Sequence, residues 1–371
     1  LHRLIRRQRQ MCIRDRFSYI YKPLVRFFNL INGFLSFQGR LILPQEVDNI
    51  KTPVTWVGNK TSILPIIYQV IPLEYCRYVE PFGGSGAVML GKSKPDKFEV
   101  YNDYNQDLVN LFHCIKERPM AFLKELGFYP LNSRDDFNVL KDFFKHKNFR
   151  NDFIDEETEL TKIMLPEPQA KEIIELFSKS ATDYDIRRAV MFLKLLRYSY
   201  SSSGKSFACQ PFSIRSLFRL IEDVSVRMSN VVIENQDFQT LINHYDRKDT
   251  FFYCDPPYIK TEHFYSCGFN WDDHLRLRDT LFGIKGKFLL SYNDCEESRN
   301  LYKGCYFLRF TRVHSMAQKY KPGEEFHEII ISNYDMRERE RSKPYQLNFF
   351  DTNQTREVNK IIKENVVYHG K

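Results

Sequence analysis

The sequence predicts a doubly wound, mostly parallel α/β sheet with an antiparallel hairpin at its edge and an inserted helical domain. Three observations carry that reading. A short apolar strand, a glycine-rich loop, a helix and a second strand follow one another between Arg77 and Asn102. Strand-like runs then stop and return only at Val231. The long stretch between them reads as helix.

Each element has its own signal. Val54–Gly58 reads as a turn and Ser62–Ile71 as an apolar helix. Arg77–Glu80 is a strand leading into Pro81-Phe82-Gly83-Gly84-Ser85-Gly86, with a helix starting near Ala87. Phe98–Asn102 is a second strand. Asp107–Glu117 is helical because Leu108, Leu111, Phe112 and Ile115 recur on one face. From about Met120 to Asn230 the pattern stays helical, with an acidic patch around Asp152–Glu159. Leu217, Leu220, Ile221, Val224 and Met228 form a clear helical stripe there. Strands return at Val231–Ile233, Thr250–Cys254, Lys287–Tyr292, Cys305–Phe310 and Glu328–Ser332, the last two as the expected edge hairpin. The division is an α/β domain of residues 51–122 and 231–335, a helical insertion of 123–230, and a polar tail of 336–371 expected to be loosely attached.

Composition narrows the class. The 371 residues, 43% hydrophobic and 15% aromatic, allow one large core or a core and a smaller lobe. No apolar run approaches the roughly 20 residues of a membrane span. Eight cysteines lie scattered without a CxxC pair, which points to reduced thiols in a cytoplasmic protein rather than a disulfide framework or a zinc site. The net charge of +8 falls to +3 without the first sixteen residues, which hold six arginines and one acid, Asp15. The run from Arg6 to Arg16 resembles one reading frame of a transposase-based sequencing adapter. Residues 1–16 are therefore expected to be foreign to the gene; the alternative is a basic arm or targeting peptide. After Met11 the next methionine is Met89, beyond the motifs described below, so the native start is expected elsewhere. Residues 17–50 carry no motif.

The glycine loop lets the backbone turn sharply and approach a ligand closely. The helix after it offers unpaired N–H groups to a carboxylate or phosphate. Alone, this would fit a tight turn in any α/β protein. Asp103 sharpens it, because an acid at the end of the next strand accepts both ribose hydroxyls of an adenosine-containing cofactor. Pro81, Phe82, Gly84 and Gly86 are the loop residues expected to meet that cofactor. The loop has no lysine followed by Ser or Thr and is not a P-loop.

Asp255-Pro256-Pro257-Tyr258 ends the strand Thr250–Cys254, where α/β sheets bind ligands. The two prolines fix the backbone and remove two N–H donors, leaving carbonyls free. An exocyclic amine is a weak nucleophile because its lone pair is delocalised into the ring. Asp255 and the Pro256 carbonyl together suit the N–H bonds of such an amine and favour the pyramidal nitrogen that attack requires. Tyr258 offers a flat face for an extruded base. The plain alternative is a proline-rich turn closing a strand.

These motifs together resemble the Dam-type DNA adenine-N6 methyltransferases. The resemblance rests on Asp255-Pro256-Pro257-Tyr258, the Pro81–Gly86 loop, Trp56-Val57-Gly58-Asn59-Lys60 and Tyr101-Asn102-Asp103-Tyr104-Asn105, and runs from about Thr52 to Asn333. It implies a methyltransferase-type sheet and S-adenosylmethionine as methyl donor. It also implies cofactor contacts at Trp56, Lys60, Asp103 and Asp255. Lys60 suits the cofactor's carboxylate and Asp103 its ribose, while Trp56 suits the adenosine or the sulfonium, or else a core aromatic's place. Asp237 is expected to bind the cofactor's adenine amine, or else to form a turn.

The insertion is the expected face for double-stranded DNA. Ile186 to Ile221 has no acid and seven basic residues: Arg187, Arg188, Lys194, Arg197, Lys205, Arg215 and Arg219. Arg197, Ser201, Lys205 and Arg215 are the expected DNA contacts, around the polar loop Tyr198–Lys205. The residues here depart from the better-known family pattern, which leaves the target sequence open. His263, Phe264 and Tyr265 are expected to close over the flipped base. Gln346-Leu347-Asn348-Phe349-Phe350 resembles a peptide that docks on the bacterial sliding clamp; packing on the body is the alternative. The tetrapeptide by itself does not separate adenine in DNA from cytosine-N4 or RNA-adenine methylation. A catalytically silent DNA-binding module is the rival of a different class, and the intact Lys60, Asp103, Asp255 and Tyr258 argue against it.

Overall fold

The structure, a computed structural model, describes residues 50–56, 58–127, 133–144, 154–180, 185–199, 206–208, 214–260, 262, 268–313, 325–342 and 353–370. Its strands are β1 (Arg77–Glu80), β2 (Phe98–Asn102), β3 (Val231–Glu234), β4 (Thr250–Cys254), β5 (Lys287–Asn293), β6 (Tyr306–Val313), β7 (Glu325–Ser332) and β8 (Val366–Tyr368). They form one sheet in the order β3-β2-β1-β4-β5-β7-β6-β8. The first five pair in parallel. The last three are antiparallel to their neighbours.

Successive residues of a strand face opposite sides, and here both sides are covered. That is why β4, Thr-Phe-Phe-Tyr-Cys, is apolar at four consecutive positions and buried throughout. On one side Tyr78, Tyr101, Phe251, Tyr253 and Leu289 pack with α1 (Leu64–Val70), α2 (Ala87–Leu90) and α3 (Gln106–Glu117). Between α3 and β3 come α4 (Pro119–Leu126), α5 (Arg134–Phe143), α6 (Ile154–Met164), α7 (Gln169–Ser180), α8 (Ile186–Tyr198) and α9 (Ile214–Met228). The predicted stripe on α9 joins this same core. On the other side Val79, Val100, Phe252, Cys254, Phe288 and Leu290 pack with α10 (Phe238–Tyr245), α11 (Trp271–Gly283) and α12 (Glu296–Leu301). No helix among the described residues is long and apolar enough to cross a membrane.

Helix α8 is tied to the α/β body at both ends. At its start, Asn110 and Asp185 exchange two hydrogen bonds of 2.9 and 3.0 Å, and Arg188 pairs with Asp107. At its end, the Arg197 Nε donates to the Pro53 carbonyl at 2.8 Å. Phe192, between them, meets Trp56 edge-on at 6.4 Å.

The polar tail is not loose throughout. Following α13 (Glu338–Ser342), helix α14 (Asn353–Asn365) buries Val358 and Ile362 in the main core, and β8 pairs with β6. The hairpin of β6 and β7 is present, but β8 takes the outermost place. Both hairpin strands are also longer than expected. Thr311 and His327 are exposed on the extension and hide its alternation from a reading of apolar runs.

Candidate active site

Strand order reverses between β1 and β4, so the loops leaving these adjacent strands diverge and open a crevice. Pro81–Gly86 leaves β1 and Asp255–Tyr258 leaves β4; both sequence motifs stand at this one point.

The glycine loop is held from β2. Gly83 N–H donates to the Asn102 carbonyl at 2.7 Å, and Tyr101 Oη donates to the Gly84 carbonyl at 2.7 Å. A Cβ on Gly83 would lie 2.2 Å from the Tyr101 ring, so only glycine passes there. Gly86, at φ +66, turns the chain into α2. Asp103 accepts from Gly84 N–H at 2.9 Å and from Asn105 N–H at 2.8 Å. Burial raises the Asp103 carboxyl above its usual range, while these backbone donors and that of Tyr104 favour the anion. Asn102 was not singled out by the sequence, yet it links three strand ends. Its side chain donates to Pro81 and Gln236 carbonyls at 2.8 and 3.1 Å and accepts from Gln236 N–H at 2.8 Å.

Lys60 connects the N-terminal segment to the tetrapeptide. It is buried, with Nζ 2.8 Å from the Gly58 carbonyl and 2.7 Å from Asp255 Oδ2. The same nitrogen stands 4.9 Å from the centre of the Tyr258 ring. Pro256 and Pro257 are buried, and Tyr258 is half-buried against Tyr292. Trp56 is half-buried and borders the loop: a Cβ on Gly84 would meet its ring at 3.2 Å. Trp56 thus touches both the glycine loop and α8.

Asp237 caps α10 through Gln239 N–H at 3.0 Å. Both its oxygens also meet Arg276, at 3.0 and 2.8 Å, and Arg276 lies 4.3 Å from the centre of the Phe238 ring. Phe82 packs on Phe238 at 5.4 Å. Nothing in the sequence announced Arg276, which is far from Asp237 along the chain.

The basic stretch divides in the structure. Arg188 and Lys194 are buried, 4% and 1% exposed, and offer no surface to DNA. The guanidinium of Arg197 lies on Pro53. Arg219 is exposed. Arg215 lies in the first turn of α9, with its side chain outside the described residues. Ser201, Lys205, His263, Phe264, Tyr265, the Gln346–Phe350 peptide and residues 1–16 also lie outside them.

This sheet order, with the two loops facing each other across its reversal, is that of a methyltransferase. The family model of D12 class N6 adenine-specific DNA methyltransferases matches residues 56–321, and the chain belongs to that family. It is 27% identical to the type II methyltransferase M.MjaIII of Methanocaldococcus jannaschii, over 77% of this chain and 99% of that protein. It is 25% identical to the type II methyltransferase M1.LlaDCHI of Lactococcus lactis subsp. cremoris, over 79% and 99%. It is 24% identical to the DNA adenine methylase of Haemophilus influenzae, over 74% and 91%. The family separates adenine in DNA from the cytosine and RNA alternatives that the tetrapeptide left open.

Proposed function

We propose that the protein moves a methyl group from S-adenosylmethionine to the N6 amine of an adenine flipped out of double-stranded DNA at a specific sequence. The observation that carries this reading is the meeting of Asp255 and Lys60 at 2.7 Å beside the Tyr258 ring, at the point where the glycine loop opens.

The residues fit the cofactor. Gly83 keeps the loop where any side chain would block it, and Asp103 stands at the end of β2 with a carboxylate suited to a ribose diol. Pro81, Phe82, Gly84 and Gly86 form the wall, with Trp56 across from Gly84. Asp237, held by Arg276, takes the adenine amine. When bound, S-adenosylmethionine supplies an electrophilic methyl group.

Asp255 and the Pro256 carbonyl accept the two N–H bonds of the target amine. That draws its lone pair out of conjugation and directs it across the crevice. Lys60 fixes one oxygen of Asp255 and keeps the carboxylate aimed. Pro257 stiffens the turn, and Tyr258 stacks on the base. Ser201, Lys205 and Arg215 meet phosphates, and Arg197 roots the loop that carries the first two. The setting is the cytoplasm. Gln346–Phe350 docks on a bacterial sliding clamp with micromolar affinity, and a peptide binding assay with no detectable signal would reject that docking.

The test is methylation of a random-site DNA library with modification mapping. N6-methyladenine at one recurring site, lost in Asp255→Ala, is expected; N4-methylcytosine or unmodified DNA would refute the proposal. Tyr258→Ala is expected to weaken capture of the base by roughly 1–3 kcal/mol.

A further inference from the structure

A buried chain of hydrogen bonds runs behind the tetrapeptide. His274, on α11, is 0% exposed. Its Nδ1 is 2.5 Å from the Tyr292 hydroxyl on β5, and its Nε2 is 3.0 Å from Glu262 Oε1, on the segment that follows Tyr258. The partners dictate where the hydrogens sit. An ionised carboxylate only accepts, so Nε2 carries the ring hydrogen; Nδ1 then accepts from the Tyr292 O–H. The ring is neutral in this arrangement, and burial, which lowers the His274 pKa, favours that form.

Two more ties hold the same segment. Asn293, beside Tyr292, donates to the Ile259 carbonyl at 3.1 Å. Lys260 pairs with Glu297 at 2.5 Å, and its φ of +70 is a conformation that a lysine adopts only when its surroundings impose it. The Tyr292 ring, 6.1 Å from that of Tyr258, forms part of the wall behind the stacking face. Residues from α11, β5 and α12 thus converge on the few residues that follow Tyr258.

We infer that Glu262, His274 and Tyr292 are positioning residues for the target base: their hydrogen-bond chain sets the attitude of the Tyr258 ring that receives an extruded adenine. The inference rests on the proposed role of the tetrapeptide. It assigns the chain to acceptance of the base and not to binding of the cofactor. Ordinary core packing makes a different demand, since it needs the rings and not the hydrogen bonds between them.

The experiment places 2-aminopurine at the mapped target adenine of a duplex, because its fluorescence rises when the base leaves the stack and is reshaped by stacking on tyrosine. Full-length wild type is compared with Tyr292→Phe, which keeps the ring and removes one hydrogen bond, and with Glu262→Ala and Glu262→Gln. Tyr292→Phe and Glu262→Ala are expected to change the fluorescence response and to lower kcat about fivefold, the effect of one hydrogen bond. S-adenosylmethionine affinity is expected to stay at the wild-type value. Glu262→Gln, whose carbonyl still accepts from Nε2–H, is expected to recover most of both signals. If Tyr292→Phe and Glu262→Ala melt earlier but keep wild-type fluorescence and kcat, the chain is packing alone and the inference is wrong. A wild type inert on adenine would overturn the proposed function and this inference with it. An active wild type with unmoved variants overturns this inference only.

Discussion

At the crevice, basic side chains meet acids across strand ends: Lys60 meets Asp255, and Arg276 meets Asp237. Along α8, by contrast, the basic stretch turns inward. Arg188 reaches Asp107, Arg197 reaches the Pro53 carbonyl, and Lys194 is buried. The first arrangement holds two carboxylates in place at the crevice; the second fastens α8 to α3 and to the segment at Pro53. An acid-free run of arginines and lysines is therefore no direct measure of DNA contact, because part of that charge is structural.

The largest expected effect tests the first half of this contrast. Asp255→Ala should lower methyl transfer by on the order of 1,000-fold, as when a preorganised polar contact to a reacting group is lost. Its melting temperature should stay near that of the wild type. Turnover close to wild type would end the assignment of this crevice as the catalytic site.

A second effect is in stability and concerns the charges beneath the glycine loop. Burial raises Glu80 from an ordinary 4.5 to about 8, against the pull of the Tyr78 hydroxyl, Lys92 and Arg227. The folded protein thus holds a proton that the unfolded chain releases. The stability it contributes is full below the unfolded value and is lost as pH rises through about 8. Glu80→Gln should flatten the fall in melting temperature between about pH 6 and pH 9, a difference on the order of a few kcal/mol at the upper end. Parallel curves for the two proteins would mean that Glu80 is ionised in the fold.

Smaller effects separate the two uses of basic residues in the insertion. Lys205→Ala and Arg215→Ala should each reduce the salt dependence of DNA binding by a slope of about 0.9. Arg197→Ala should change that slope by less than one full contact, and should raise KM for S-adenosylmethionine by about twofold through the Pro53–Lys60 segment. A full phosphate-sized change at Arg197, with the cofactor KM unmoved, would return that residue to the DNA face.

Where chain neighbours define an element, the sequence was legible. Thr250–Cys254 is an unbroken apolar run stopped by two prolines, and its boundaries in the fold are those of the reading. The loop and the tetrapeptide were found because each lies within a few consecutive residues at a strand end. What stayed hidden joins distant positions. Nothing near Asp237 announces Arg276, and nothing near Arg188 announces Asp107. Charge is visible in a sequence, but the direction in which a guanidinium points is not. Likewise Val366-Val367-Tyr368 is too short a run to read as a strand until β6 lies beside it.

That last strand has a practical meaning. Without residues 353–370, β6 would present open N–H and C=O groups along Tyr306, Phe307 and Leu308, and the core would lose the cover of Val358 and Ile362. An open, apolar strand edge is a template for pairing with other copies of the chain. Ending the protein after α13 would therefore keep every motif of the crevice and all of the hairpin, and still invite aggregation.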